Sequence, residues 1–309
     1  MSQLAFVFPG QGSQSVGMLA DLAEASTTIR ATFEEASEAI DLDLWKLVSD
    51  GPGEDLNRTA ITQPVMLAAD IAVWRAWKEA GGEAPVLLAG HSLGEYAALV
   101  AAESISLNDA LGLVARRGEL MQSAVPRGKG AMAAILGLED EVVEALCREV
   151  AEGQVVSAAN FNSPGQIVIA GEAAAVERAM HEAKSAGARR AVILPVSVPS
   201  HCALMRPAAE ALAEHLASIE ISAPGIPILH NVDMATHDQA ESIRQILSEQ
   251  MYSPVRWTGT IRQMIAADID RIAECGPGRV LCGLGRRINR ETDWIALEDP
   301  EALAAAAQR

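Results

Sequence analysis

No two cysteines stand at CxxC spacing. The four, Cys147, Cys202, Cys275 and Cys282, stand apart from one another in the chain. That pattern argues against a zinc site and against a disulfide framework, so no metal is expected and free thiols in the cytoplasm are. Aromatic residues are only 4% of the 309, so Ala, Leu, Val and Ile must fill the core. No apolar run approaches the roughly 20 residues of a membrane span. The opening MSQLAFVFPGQG lacks a basic n-region, and its apolar stretch is too short for a signal peptide. Basic residues are in deficit as well: 24 Lys and Arg against 41 Asp and Glu give a net charge of -17. Such a chain repels nucleic acid and anionic lipid, and neither is an expected partner. An anionic ligand must therefore meet a local cluster of Arg or Lys.

Half of the residues are apolar, enough for one large domain or two modest ones. Leu4 to Phe8 reads as a short buried strand, followed by the turn Pro9-Gly10-Gln11-Gly12-Ser13-Gln14. Helical patterns run from Met18 to Ile40 with a break near Ser26, and from Gln63 to Ala80. Pro85 to Ala89 is a strand, Gly90 to Gly94 a turn, and a helix follows to Ala102. Ser106 with Asp109 resembles a capping box that opens a helix to Ala124. This alternation predicts a mainly parallel sheet with helices on both faces.

The middle of the chain reads differently. Ala131–Leu138, Val155–Asn160, Gln166–Ala170 and Arg190–Val196 have strand patterns, and Glu139–Ala151 and Ala173–Ala186 are helical. The order β-α-β-β-α-β is that of a ferredoxin-like unit. A subdomain over 127–198 is therefore expected, inserted into a main domain of 1–126 and 199–309. In the remainder, helices are expected over Ala203–Ile219, Ile243–Met251 and Gly259–Ala267. Strands are expected at Ile226–His230 and Ile269–Ala273. A GPG turn and a final helix carrying Arg286 and Arg287 then end the chain.

The sharpest chemical signal is Gly90-His91-Ser92-Leu93-Gly94, a GxSxG motif between an apolar strand and a helix. Such a strand-to-helix corner lifts a serine hydroxyl clear of the sheet. It also aims the next backbone amide, that of Leu93, at a developing oxyanion. A serine nucleophile needs a base. Of six histidines, His181 and His215 lie in amphipathic helices and His237 in a polar loop. His91 adjoins Ser92, but successive side chains in a turn diverge. His201 follows Val198-Pro199-Ser200, where prolines fix the backbone. The residues alone leave open whether it is a positioned base or a hydrogen-bonded loop histidine. No Asp or Glu stands out to orient it.

At these residues the chain resembles the bacterial malonyl-CoA:acyl-carrier-protein transacylases of fatty acid synthesis. The resemblance runs essentially end to end, through FVFPGQGSQ (6–14), TQP (62–64), GHSLGEY (90–96), RGELM (117–121), NFNSPGQ (160–166), VPSHCALM (198–205) and GPG (276–278). It implies an α/β-hydrolase-like core with the ferredoxin-like insertion. It implies Ser92 as nucleophile, His201 as base, and Gln250 as the residue whose backbone carbonyl holds the histidine. The amides of Gln11 and Leu93 would form the oxyanion hole. Arg117 would bind the free carboxylate of malonate, with Gln63 and Asn160 near the pocket. A guanidinium suits a carboxylate through paired planar hydrogen bonds. Arg116 lies about 100° around the helix, so only one of the two can face the site. A surface ion pair is the ordinary reading of such an arginine; the resemblance reverses it.

The expected reaction is malonyl transfer from malonyl-CoA to the pantetheine thiol of acyl carrier protein. It would be a ping-pong exchange through a malonyl-Ser92 ester, with no cofactor, in a monomeric enzyme. Candidate carrier-docking patches are Arg286-Arg287 with Arg290, Arg189-Arg190, and Arg127 with Lys129. An esterase or thioesterase is the rival reading. Its usual chain order of Ser, acid, His is not met here, and Arg117 would have no role on a neutral acyl chain. Ser200 before His201 bears on malonyl against methylmalonyl choice, and the stand-alone fatty acid enzymes also carry serine there.

Overall fold

The computed structural model of the chain describes residues 2–196 and 198–309. Strands β1 (Leu4–Phe8), β2 (Leu87–Gly90), β7 (Ile228–Leu229), β8 (Arg271–Glu274) and β9 (Asp293–Ala296) form one sheet in the order β7-β2-β1-β8-β9. Every pairing in it is parallel. Strands β3 (Gly130–Leu136), β4 (Val156–Ser163), β5 (Gln166–Glu172) and β6 (Arg190–Ile193) form a separate antiparallel sheet in the order β4-β5-β3-β6. The molecule is thus mixed α/β, with the second sheet contributed by one continuous segment.

Strand β1 shows why the parallel sheet lies inside. All five of its residues are buried, and they alternate between two cores. Phe6 and Phe8 pack with the Thr59–Glu79 helix, where the Phe6 ring stands 5.4 Å from Trp74 and 5.2 Å from Trp77, edge on. Ala5 and Val7 face the opposite side, among Trp257, Ile261 and Met264 of the Trp257–Ala266 helix. Burial on both faces removes any need for alternating polar residues, and LAFVF has none.

The antiparallel sheet has its own apolar core beneath the helices Asp140–Glu149 and Ala173–Ser185. Its strand β4 is joined to the segment before the Trp257–Ala266 helix: the Phe161 amide donates to the Val255 carbonyl and the Val255 amide to the Ala159 carbonyl, both at 2.9 Å. All four cysteines are buried and free. Among the described residues no helix is long and apolar enough to cross a membrane.

Local signals behave as their chemistry requires. Ser26 interrupts the first helical run and caps Thr27–Ile40, its hydroxyl accepting from the Thr28 amide. Ser106 accepts from the Asp109 amide and opens Leu107–Ala124. Several boundaries differ from expectation. The helix expected from Gln63 begins at Thr59, so the TQP segment lies within it. Helices Leu44–Asp50 and Gly53–Leu56 fill a stretch given no element, although Asp43 caps the first by accepting from Lys46. Strand β6 ends at Ile193, not Val196, because the chain leaves the sheet edge. Strand β7 is only two residues of the five expected. The helix with Arg286 and Arg287, Val280–Ile288, is not the last: β9 and Pro300–Ala307 follow. Asp299 caps that last helix and Pro300 occupies its first turn, the usual start signal of a helix.

Candidate active site

A cleft of about 190 Å³ lies between the two units, walled by Ser92, His201 and Arg117 from the main unit and Asn160, Asn162 and Val168 from the antiparallel sheet. Ser92 stands at the corner where β2 meets the Gly94–Ala101 helix, with φ +53°. A non-glycine residue in that region carries about 1–2 kcal/mol of strain, which the surroundings must hold. Two features do so. A Cβ on Gly94 would sit 2.0 Å from the Phe8 carbonyl oxygen, so only glycine lets the helix approach β1 this closely. Asn231, just after β7, clamps the corner from outside: its Nδ2 donates to the Gly90 carbonyl at 2.6 Å and its Oδ1 accepts from the Ser92 amide at 2.7 Å.

His201 meets this hydroxyl from the other side of the cleft. Its Nε2 is 2.8 Å from Ser92 Oγ, and its Nδ1 is 2.8 Å from the backbone oxygen of Gln250. A carbonyl can only accept, so Nδ1 carries the proton and Nε2 presents its lone pair to the serine. His201 is itself held at φ +60°, with its amide bonded to the Met251 carbonyl. Burial, then the charge of Arg117, push the imidazole down to about 3, against the opposing pull of the Gln250 carbonyl. The ring is therefore neutral across the physiological range and ready to accept a proton.

Arg117 is 1% exposed, whereas Arg116 points outward to pair with Glu119 at 3.1 Å. The helix turn thus separates the two, as geometry requires. Arg117 Nη2 lies 3.3 Å from Ser92 Oγ and 3.0 Å from Gln250 Oε1, and its guanidinium carbon stands 5.4 Å from the Tyr96 ring centre. Its Nε is buried and has no partner among the described residues. Burial lowers its ionisation from the usual value, opposed by Tyr96 and Glu95. A buried cation with a free donor beside a nucleophile can receive an anionic group two bonds from the reacting carbon.

The loop after β1 completes the floor. A Cβ on Gly10 would stand 2.4 Å from the His91 carbonyl oxygen and 3.7 Å from the Leu93 nitrogen, so the Gln11 loop lies directly against the corner. Among the described residues, neither the Gln11 nor the Leu93 amide donates to a protein acceptor. Both are free to meet an oxyanion. Gln63 is 1% exposed and spends Nε2 on the Met121 sulfur at 3.3 Å, leaving Oε1 without a partner among the described residues. Asn160 lines the cleft from β4, next to a register shift in its pairing with β5.

All eight residues expected at the site are found at or directly behind this cleft, Gln250 being fully buried behind the imidazole. Sequence reasoning missed four others. Asn231 clamps the corner. Glu95, 0% exposed, accepts from His230 Nδ1, the Asn231 amide and Gln250 Nε2. His91 turns away from Ser92 to bond Asn162 Oδ1 at 2.8 Å. Glu95 and His91 lie inside the GHSLGEY stretch and Asn162 inside NFNSPGQ, so the signal was present; Asn231 had none beyond its polarity.

Comparison with known proteins finds relatives along the whole chain. The model of the acyl transferase domain matches residues 5–287. The malonyl CoA-acyl carrier protein transacylase of Escherichia coli K12 is 54% identical over 308 residues, covering 100% of each chain. The structure of the malonyl CoA-acyl carrier protein transacylase of Coxiella burnetii superposes with a TM-score of 0.99 at 48% identity, covering 100% of this chain and 98% of that one. A malonyl-transacylase solved in complex with its type II polyketide acyl-carrier protein gives 0.98 at 54% identity, with 99% of each chain covered. The chain belongs to the acyl transferase domain family and, within it, to the malonyl CoA-acyl carrier protein transacylases.

Proposed function

We propose that the protein transfers the malonyl group of malonyl-CoA to the pantetheine thiol of acyl carrier protein in two half-reactions. In the first, His201 Nε2 takes the Ser92 proton as Oγ attacks the thioester carbon. The amides of Gln11 and Leu93 hold the oxyanion. The C–S bond breaks, His201 returns its proton to the sulfur, and coenzyme A leaves as a thiol. In the second, His201 takes the proton of the carrier thiol, the sulfur attacks the malonyl-Ser92 ester, and Ser92 recovers its proton as it departs. Arg117 pairs with the free malonyl carboxylate throughout, with Gln63 and Asn160 as neighbours in the pocket. The scheme calls on no metal or redox cofactor.

The observation that carries this reading is the 2.8 Å contact of Ser92 Oγ with a neutral imidazole, with Arg117 Nη2 3.3 Å from the same oxygen. An esterase has no use for that buried cation. The test is mass spectrometry of the intact protein after malonyl-CoA: wild type should gain one malonyl group and Ser92→Ala none. An adduct that persists on the variant rules out the assignment.

The same proposal divides the chain into a hydrolase-like catalytic domain of 1–126 with 199–309 and a ferredoxin-like subdomain of 127–198. The βαββαβ order and the β4-β5-β3-β6 arrangement support the second. The carrier protein would dock near Arg286, Arg287 and Arg290. Support comes from Arg287 bonding Gln166, which lies across β3 from Arg190, so two of the basic patches share one end of the antiparallel sheet.

A further inference from the structure

Arg117 and Glu95 are opposite charges, both buried, and they do not touch. The Gln250 side chain lies between them, itself 0% exposed. Its Oε1 accepts from Arg117 Nη2 at 3.0 Å, and its Nε2 donates to Glu95 Oε2 at 2.9 Å and to the Ser92 carbonyl at 3.0 Å. Only one orientation of the amide satisfies all three contacts. Turned over, its NH2 would face the guanidinium and its oxygen the carboxylate, two repulsive pairs in a dry site. Glu95 is fixed in turn by His230 Nδ1 at 2.7 Å and the Asn231 amide at 3.0 Å.

We infer that Glu95 is a positioning residue for acyl-group selection: by fixing the Gln250 amide it holds Arg117 toward the Ser92 hydroxyl without neutralising it. A direct Glu95–Arg117 pair would occupy the guanidinium fork and leave no donor for a substrate carboxylate. Interposing a neutral amide transmits orientation while keeping the charges apart, and Arg117 Nε remains unpartnered among the described residues. The same Gln250 offers its main-chain carbonyl to His201, so one residue sets both the base and the anion-binding cation. The inference rests on the reading of Arg117 as the carboxylate-binding residue.

The experiment measures single-turnover acylation of Ser92 by malonyl-CoA and by acetyl-CoA, read by intact mass, with thermal unfolding as the control for folding. Glu95→Leu removes the acceptor and should lower the malonyl-to-acetyl ratio by about tenfold, as expected for loss of a hydrogen bond to a charged group. Glu95→Gln keeps an acceptor for the amide and should stay within about threefold of wild type. Gln250→Met cuts the same link from its other side while keeping the backbone carbonyl. It should reproduce the selective loss, and the double variant should be no worse than either single one. Should Glu95→Leu fail to fold, Gln250→Met decides alone. Equal loss for both acyl groups, or an unchanged ratio, overturns the inference. Arg117→Ala separates the two levels. If it is selective and the Glu95 and Gln250 variants are not, only the positioning role fails. If it lowers both acyl groups alike, the carboxylate reading falls and the inference with it.

Discussion

At the scale of single residues the site is a problem of proton placement. His201 can serve as a base only while neutral, and burial with the nearby Arg117 guanidinium holds its ionisation at about 3 instead of the usual 6.5. The sign follows: protonation removes the base, so reactivity falls as pH falls, but only far below the ordinary imidazole range. Labelling of Ser92 by a serine-reactive phosphonate should therefore keep a constant rate between about pH 8 and pH 5. An inflection near 6.5 would place the ring in water and contradict the buried geometry. The serine was legible because GxSxG joins a composition to a setting, and His201 was half legible through its prolines. The absence of an acidic partner was itself informative, since a main-chain carbonyl leaves no trace in side-chain identity. Asn231 was invisible for a related reason: it acts through two backbone groups 139 and 141 positions away.

At the scale of elements, the strand-to-helix corner depends on backbone surfaces in contact. Gly94 has an ordinary helical conformation, and its need is for space: any Cβ must displace the Phe8 carbonyl. Gly94→Ala should cost about 1–3 kcal/mol by overpacking, measured by urea unfolding. A displacement of about 1 Å at Ser92 should also slow phosphonate labelling by about a hundredfold. Wild-type labelling in this variant would show that the corner can yield without loss. Long capped helices and strands lying wholly in the core were readable, as Leu107–Ala124 and β1 illustrate, whereas the short capped helices Leu44–Asp50 and Pro300–Ala307 were not. Those defined by tertiary contact were not. Strand β7 is two residues long because only Ile228 and Leu229 reach β2, and β9 exists because Asp293 to Ala296 lie along β8. Neither has a length or pattern that local propensity could detect.

At the scale of the whole molecule, the sheet centre stores a cost. Asp70, on the Thr59–Glu79 helix, is 0% exposed, and neither carboxyl oxygen has a partner among the described residues. A Cβ on Gly276 would lie 2.1 Å from Asp70 Oδ1, so the GPG turn and the helix are in contact through that carboxyl. Burial first, and then Glu274, hold its ionisation well above the carboxylate range. Glu274 is raised to about 7 by burial, although it accepts from the Leu281 and Cys282 amides. A group raised in the folded state lends stability below its unfolded value and loses it as pH rises toward the folded one. Asp70→Asn should therefore be more stable than wild type at pH 8. The gap should widen from pH 5 by about 1.4 kcal/mol per unit until the folded value is reached. Equal gaps at both values, from urea unfolding, would refute the buried-acid account. That the cleft lies between two units was beyond the sequence, because strand order and the Phe161–Val255 junction join segments far apart in the chain.

The buried cysteines bear on how the reaction can be watched. Coenzyme A departs as a free thiol, and the protein's own sulfurs are kept from acting like one. Desolvation pushes Cys202 up to about 11 and Cys147 up to about 12, and it raises Cys275 and Cys282 well above the usual thiol range too. None offers thiolate at neutral pH, so none competes with the leaving group for a disulfide. A chromogenic disulfide reagent added to the folded enzyme with malonyl-CoA and no carrier protein therefore reports the coenzyme released in the first half-reaction against a silent background.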